Sequence, residues 1–252
     1  MKIVTFNLRC AWAEDGVNSF IHRGGMILEK IKDEKPDLLC FQEGTDENIS
    51  FLRRALPDYD IVFSQRNSDL SGEGVATALR RDSMTLKKLD FFWLSETPDA
   101  PGSIFPGQSI PRVCQSLLIR DSHGRFLRVY NVHLDHLSDE IRVLNIRCLL
   151  SRVAGDCTSG DYPFFILGDF NALPDSETVR YCNDYEPLPV VDLTAGCGGT
   201  FHDFGQTEPE KLDYIYASRQ IAERPYTAVL WEDRLNGIYL SDHYPVALEI
   251  EL

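Results

Sequence analysis

What the sequence lacks closes several routes at once. No stretch approaches the roughly 18 apolar residues of a membrane span. The opening MKIVTFNLRC holds no apolar run of signal-peptide length. No C-x-x-C pair occurs, and the seven cysteines (Cys10, Cys40, Cys114, Cys148, Cys157, Cys182 and Cys197) are odd in number. That pattern argues against a zinc site and for unpaired thiols in a reducing compartment, so a cytoplasmic protein is expected. Positive charge is also scarce: 25 Lys and Arg stand against 39 Asp and Glu, a net charge of −14. The basic pairs Arg53-Arg54, Arg80-Arg81 and Lys87-Lys88 are short and read as solvated faces. A protein that grips long nucleic acid usually carries a basic stripe that displaces counterions, and none is present. The same acidity disfavours anionic membranes. Internal repeats, low-complexity tracts and linkers are absent.

What remains is an ordinary globular composition, 43% hydrophobic and 25% charged, in 252 residues. Residues 1–252 are expected to form one domain and to act as a monomer. Lys2–Leu8 alternates as a strand. Ile27, Leu28 and Ile31 recur at helical spacing from about Phe20 to Lys35, where Pro36 stops the helix. The apolar run Asp37–Gln42 reads as a buried strand, and a helix follows over Glu47–Leu56. Five strands then come in succession: Tyr59–Gln65, Val75–Arg80, Thr85–Trp93, Gln115–Arg120 and Phe126–His133. The long, proline-rich loop Ser95–Pro111 interrupts them, and such loops are often functional. A helix over Asp139–Ala154, a buried strand over Pro163–Leu167 and a short helix over Ser176–Cys182 come next. Strands at Leu212–Ala217, Thr227–Trp231 and Pro245–Glu251 complete the chain. Consecutive strands with helices between them do not make a doubly wound sheet. They predict an α/β fold of two packed mixed sheets flanked by helices, a four-layer sandwich.

Six short polar motifs fall where apolar strands meet loops. They are Phe6-Asn7, Gln42-Glu43, Asn131–Asp135 (NVHLD), Gly168–Asn171 (GDFN), Asp213 in KLDYI, and Ser241–His243 (SDH). Singly they say little: an aspartate after a strand is more often a turn or a cap, and a lone histidine is more often a satisfied core residue. Together they put carboxylates, amides and imidazoles at matching strand ends. Magnesium wants oxygen ligands with only one or two carboxylates among them, and Glu43 with Asn7 and Asp242 would meet that need. Phosphate-ester hydrolysis also needs a positioned water, charge stabilisation on the phosphoryl oxygens and proton handling, which a histidine beside an aspartate can supply.

These motifs, in this order from Asn7 to Pro245, resemble the endonuclease/exonuclease/phosphatase superfamily, also called deoxyribonuclease-I-like. GDFN, DYI and a terminal SDHYP are its specific signature. The resemblance implies a fold, the four-layer sandwich, and roles for single residues. Glu43 would be the principal Mg²⁺ ligand (Mn²⁺ serving in its place), with Asn7 and Asp242 flanking the metal. Asp169 would orient or deprotonate the attacking water, and Asn171 would bind a phosphoryl oxygen. His243, held by Asp213, would be base or transition-state stabiliser, and His133 would face the scissile phosphate. A narrower resemblance, to a bacterial branch of metal-dependent hydrolases, rests on FFWLSETPDAPGS, IPRVC, NVHLDHLSDEIR and GTFHDF. It implies Arg112 and His202 as substrate contacts and Glu73 as a lining residue. Guanidinium geometry suits Arg112 to phosphate, although an arginine after Pro111 is as readily a surface residue. The chain departs from that branch in reading FHDF for FHGF and in lacking a tryptophan between Phe105 and Ile110.

The resulting expectation is Mg²⁺-dependent hydrolysis of a small or modest-sized phosphate ester, because no basic surface flanks the site to hold a long duplex. The alternative is a nuclease acting on DNA or RNA ends or single strands, with Trp12, Phe105 and Phe201 as stacking candidates. A lipid-directed, sphingomyelinase-like role lacks any amphipathic membrane-binding segment. A catalytically inactive binding module would have lost one of Glu43, Asp169, Asp213, Asp242 or His243, and all five are present.

Overall fold

The structure, a computed structural model, describes residues 1–160 and 162–252. The alternating opening forms β1 (Lys2–Asn7), and α1 (Phe20–Glu34) follows. Lys35 takes a left-handed φ of 47° just before Pro36, so the helix ends where proline forbids its continuation. After β2 (Leu38–Gly44), Thr45 starts α2 (Asp46–Ala55): its hydroxyl accepts from the Asn48 N–H, while the Asn48 side chain accepts from the Thr45 N–H. This reciprocal pair satisfies two donors that the first turn would otherwise orphan. Five strands then run without a helix between them: β3 (Tyr59–Gln65), β4 (Gly74–Arg80), β5 (Met84–Trp93), β6 (Val113–Asp121) and β7 (Phe126–His133). Ser138 caps α3 (Asp139–Ser159), β8 (Phe164–Asp169) comes next, and Ser176 caps α4 (Glu177–Asn183). The chain closes with β9 (Val190–Asp192), β10 (Asp213–Ser218), α5 (Arg219–Ala222), β11 (Tyr226–Leu230), the small pair β12 (Arg234–Leu235) and β13 (Ile238–Tyr239), and β14 (Val246–Ile250). The shortest elements escape the sequence pattern: β9, α5, β12 and β13 span too few residues for a period to register. Helix α3 also runs on past the expected end at Ala154.

The strands make two six-stranded sheets, in the orders β11-β14-β1-β2-β4-β3 and β5-β6-β7-β8-β10-β9. Both are mixed: β1 pairs with β2 in parallel and with β14 antiparallel, while β7 pairs with β8 in parallel and β8 with β10 antiparallel. Leu38, Cys40 and Leu248 of the first sheet meet Leu117, Leu167 and Ile215 of the second in one buried cluster. Helices α1 and α2 cover the outer face of the first sheet through Ile27, Ile31, Ile49 and Leu52. Helix α3 covers the second through Ile146, Leu149, Leu150 and Val153, with Val179 and Cys182 of α4 beside it. The expected four-layer α/β sandwich is therefore present. Among the described residues, no helix is long and apolar enough to cross a membrane.

The space between the sheets changes character along its length. Toward the ends of β1, β2 and β7, the apolar contact gives way to a fully buried hydrogen-bonded chain. Thr5 Oγ1 lies 3.3 Å from Gln42 Oε1, Gln42 Nε2 donates to Asn131 Oδ1 at 2.9 Å, and Asn131 Nδ2 donates to the Ala76 carbonyl at 2.9 Å. A neighbouring chain runs from Thr77 to Gln115 and on to Ser64, at 2.7 and 3.1 Å. Buried amides so satisfied hold the two sheets in one register. They sit directly behind the strand ends that carry the polar motifs.

Candidate active site

Each polar motif is aimed by a local feature of its strand. Between Phe41 and Gly44 the β2–β4 ladder slips register, and Glu43 adopts a left-handed φ of 53°. This bulge swings Glu43 out of the alternation, a device common beside active sites. At the end of β8, Gly168 (φ 150°) approaches β7 so closely that a Cβ there would stand 1.8 Å from the Val132 carbonyl oxygen. Only glycine permits that contact, and it brings His133 level with Asp169 in the parallel ladder. Asn171 then turns the chain with φ 49°, its N–H bonded to Asp169 Oδ1 at 2.8 Å.

The side chains converge on one cleft of about 440 Å³. At its floor, Asn7 Nδ2 donates to Glu43 Oε1 at 3.1 Å and to Asp169 Oδ2 at 2.9 Å. The second oxygen of Glu43 accepts from the Cys10 N–H at 2.9 Å. His243 Nδ1 lies 2.8 Å from Asp213 Oδ2, and its Nε2 lies 3.7 Å from Asp169 Oδ2. His133 Nε2 reaches the same Asp169 oxygen at 3.5 Å. Asp242 accepts from the Ser241 hydroxyl at 3.0 Å and faces Arg9 at 3.7 Å.

Burial and charge separate these groups into distinct protonation states. For His243, burial alone would favour the neutral ring, but the charges of Asp213 and Asp169 outweigh it and raise its pKa to about 10. Asp169 is pushed up to about 7, first by burial and then by Asp213, with the His243 charge opposing the rise. Burial and the neighbouring Glu43 raise Asp242. His133 moves the other way: burial and the Arg112 charge hold it well below the usual histidine range, so it is neutral.

Comparison with known proteins gives the arrangement a context. The sequence pattern of the Endonuclease/Exonuclease/phosphatase family matches residues 4–243. The chain belongs to the Endonuclease/Exonuclease/phosphatase family. Members of this family hydrolyse phosphate esters, and the protein is a phosphoric ester hydrolase. An uncharacterized protein of Acanthamoeba polyphaga mimivirus is 25% identical over the whole of both chains. An endonuclease/exonuclease/phosphatase from Bacteroides vulgatus has a TM-score of 0.89 at 26% identity, covering 99% of this chain and 98% of that one. The mannosyl-6-phosphatase of Bacteroides thetaiotaomicron shares the fold with a TM-score of 0.86 at 22% identity, covering 100% of each chain.

Within this family fold, Glu43, Asp242, Asp169, Asn171, His243 and His133 line the cleft, and Glu73 and Arg112 line it with them. Asp213 stands behind His243. Asn7 sets its amide nitrogen between two carboxylates, donating to both, and its Oδ1 accepts from the Arg9 N–H at 2.9 Å. It braces Glu43 against Asp169. One expectation needs correction: His202 does not line the cleft. It is buried, its ring stacks on Tyr244 at 3.9 Å and its Nδ1 accepts from the Gly205 N–H, so it props the segment carrying Asp242 and His243. Of the stacking candidates, Phe201 lines the cleft, whereas Trp12 and Phe105 do not.

The cleft also contains residues that the motifs did not announce, chiefly Arg66, His136 and Arg9. Arg66 and Arg9 lie in loops where no period or motif marks them. A signal existed only for His136, an exposed histidine between a strand end and the serine cap of α3.

Asp169, Asp213 and His243 stand close enough together to suggest a metal cage, with ligand atoms within 4.8 Å of one another. The chemistry argues otherwise. His243 Nδ1 and Asp213 Oδ2 lie 2.8 Å apart in a hydrogen bond, so two of the three groups already satisfy one another. Glu43 and Asp242 fit a hard cation better: they are oxygen donors, buried or nearly so, whose mutual repulsion a divalent ion would relieve.

Proposed function

We propose that the protein catalyses metal-dependent hydrolysis of a small or modest-sized phosphate ester, with Mg²⁺ as the physiological ion and Mn²⁺ able to replace it. The observation that carries this reading is the convergence of Asn7, Glu43, Asp169, Asp213 and His243, drawn from five separate strand ends or loops, within hydrogen-bond or ion-pair reach of one another. The whole chain is taken to work as one catalytic domain and as a monomer. The buried thiols of Cys10, Cys40, Cys114 and Cys182, none of them in a disulfide, accord with a cytoplasmic setting.

Glu43 and Asp242 would hold the cation, which when bound supplies Lewis-acid polarisation of the phosphoryl oxygens and offsets their charge. The remaining work falls to the chain. Asp169, poised near neutrality, orients the attacking water and accepts its proton. Asn7 and the Asn171 N–H fix that carboxylate from both sides. His243 is charged at neutral pH, which favours a role in stabilising negative charge on the phosphoryl group over a role as base. Asp213 holds its ring in place. His133 is neutral and able to donate to the leaving-group oxygen, while Asn171 and Arg112 bind phosphoryl oxygens.

Fold kinship with a mannosyl-6-phosphatase agrees with a small phosphomonoester, and the pairing of Arg66 with Glu73 at 2.9 Å disfavours a long polyanion. The test is hydrolysis of an aryl phosphomonoester and an aryl phosphodiester after treatment with EDTA. Activity is expected to vanish and to return with Mg²⁺ or Mn²⁺. Full activity in chelator would sink the metal assignment, and efficient processive cleavage of duplex DNA would refute the small-substrate reading.

A further inference from the structure

Three guanidinium groups face the cleft, and their partners differ. Arg9 bonds Asp15 at 3.1 and 3.2 Å and faces Asp242. Arg66 is locked to Glu73 by two parallel hydrogen bonds of 2.9 Å each, with the side chains 16% and 13% exposed. Arg112 is 4% exposed and, among the described residues, has no carboxylate within ion-pair distance. Its Nη2 meets His136 Nδ1 at 3.1 Å, and its buried Nε has no partner. The cleft therefore offers one uncompensated guanidinium, close enough to His133 and Asp169 for both to feel its charge. That is the position of a single phosphoryl group. The rest of the wall is electrically balanced.

We propose that Arg66, Glu73 and His136 form the leaving-group subsite, and that it takes the hydroxyls of a neutral sugar or polyol carried on a single phosphate. This rests on the phosphate-ester reading above. A second phosphate, whether on a bisphosphate or at the next position of a nucleic acid, would find no free cation and would have to break the Arg66–Glu73 fork. A nucleobase would need a flat face. Among the described residues lining the cleft, Phe201 is the only phenylalanine, tyrosine or tryptophan, and its ring is tilted against His243 at 5.0 Å. A hydroxyl is different, because it donates and accepts at once. The fork sets spare carboxylate lone pairs beside guanidinium N–H groups, so adjacent hydroxyls can each find both. His136 accepts from Arg112 on Nδ1, so its neutral ring carries its proton on Nε2 and adds a donor.

The subsite is rigid before any ligand arrives. The Arg66 N–H bonds the Glu73 carbonyl at 2.9 Å, and Trp93 Nε1 donates to the Arg66 carbonyl at 2.6 Å. The 95–111 loop braces it from outside: a Cβ on Gly102 would fall 2.6 Å from the Ser68 nitrogen. Preorganised charge of this kind binds without an ordering cost. A cleft of about 440 Å³ also suits a ligand of monosaccharide-phosphate size.

The experiment compares kcat/KM of the Mg²⁺-loaded enzyme on a hexose 6-phosphate, a hexose bisphosphate, a nucleoside 5′-monophosphate and p-nitrophenyl phosphate. The hexose 6-phosphate is expected to exceed the bisphosphate and the nucleotide by at least about tenfold, the scale of one lost charge-assisted hydrogen bond. Glu73→Gln should lower the ratio of hexose phosphate to aryl phosphate by about tenfold, and His136→Gln, at an exposed position that does not endanger folding, by about threefold. A nucleotide or bisphosphate used as well as the hexose phosphate would overturn the proposal, as would a ratio unmoved in His136→Gln and in any folded Glu73→Gln protein. Failure to hydrolyse even the aryl phosphate would instead overturn the underlying phosphate-ester reading, and this subsite with it.

Discussion

On the floor of the cleft, Asn7, Glu43, His133, Asp169 and Asp213 ride on strands that are paired on both sides. On the facing wall, Arg66, Glu73 and Arg112 lie just outside the strands, and His136 sits in the turn before α3. The floor takes its precision from the sheets, whose register is locked by Gln42, Asn131 and Gln115 just behind it. The wall takes its precision from its own ion pair and from a second loop packed against it. Reaction chemistry placed on ladder ends and substrate choice placed on braced loops can vary independently, because a loop can change without disturbing the register that holds Asp169 and Glu43.

That contrast predicts a graded set of effects. Removing a floor residue should cost most. His243→Ala is expected to lower kcat by roughly two to four orders of magnitude with little change in KM. A loss below about threefold would take the ring out of the mechanism. Asp213→Asn keeps the shape but removes the charge that makes His243 an imidazolium. It should reduce kcat by about ten- to a hundredfold, as supporting residues do, and NMR should show the His243 ring pKa falling from about 10. An unmoved ring would break the assignment. On the wall, Arg112→Lys should act mainly through KM, raising it by about tenfold because the bidentate geometry is lost. A fall confined to kcat would move Arg112 from binding to chemistry. His202→Asn, beneath the floor, should lower thermal stability by about 1–2 kcal/mol through lost stacking while changing KM by less than about twofold. A tenfold rise in KM would restore His202 as a substrate contact.

The two regions also differed in how much of them could be read from the chain. The floor was legible because each of its residues stands at one end of an apolar run of strand length, and the order of those runs matches a family signature. Even there, periodicity could not tell that Asn7 sets its amide nitrogen between two carboxylates. That depends on a three-way meeting with Glu43 and Asp169, 36 and 162 residues away along the chain. His202 misled for a related reason: its motif is contiguous with the site in space, but its ring is buried against Tyr244 instead of facing the cleft. The wall was largely illegible. Arg66 lies in an irregular loop, and its pairing with Glu73 comes from a turn that carries no hydrophobic pattern. The 95–111 loop, expected to choose the substrate by contact, contributes Ile110 to the cleft and otherwise acts as a buttress.

The central claim, that hydrolysis depends on a divalent cation held at Glu43, is tested most directly by Mg²⁺ activation of chelator-stripped wild-type and Glu43→Gln proteins on an aryl phosphate. The wild type should be inactive until Mg²⁺ is added, and Glu43→Gln should need at least about tenfold more Mg²⁺ for half-activation. Superimposable activation curves would contradict the account and move the cation elsewhere.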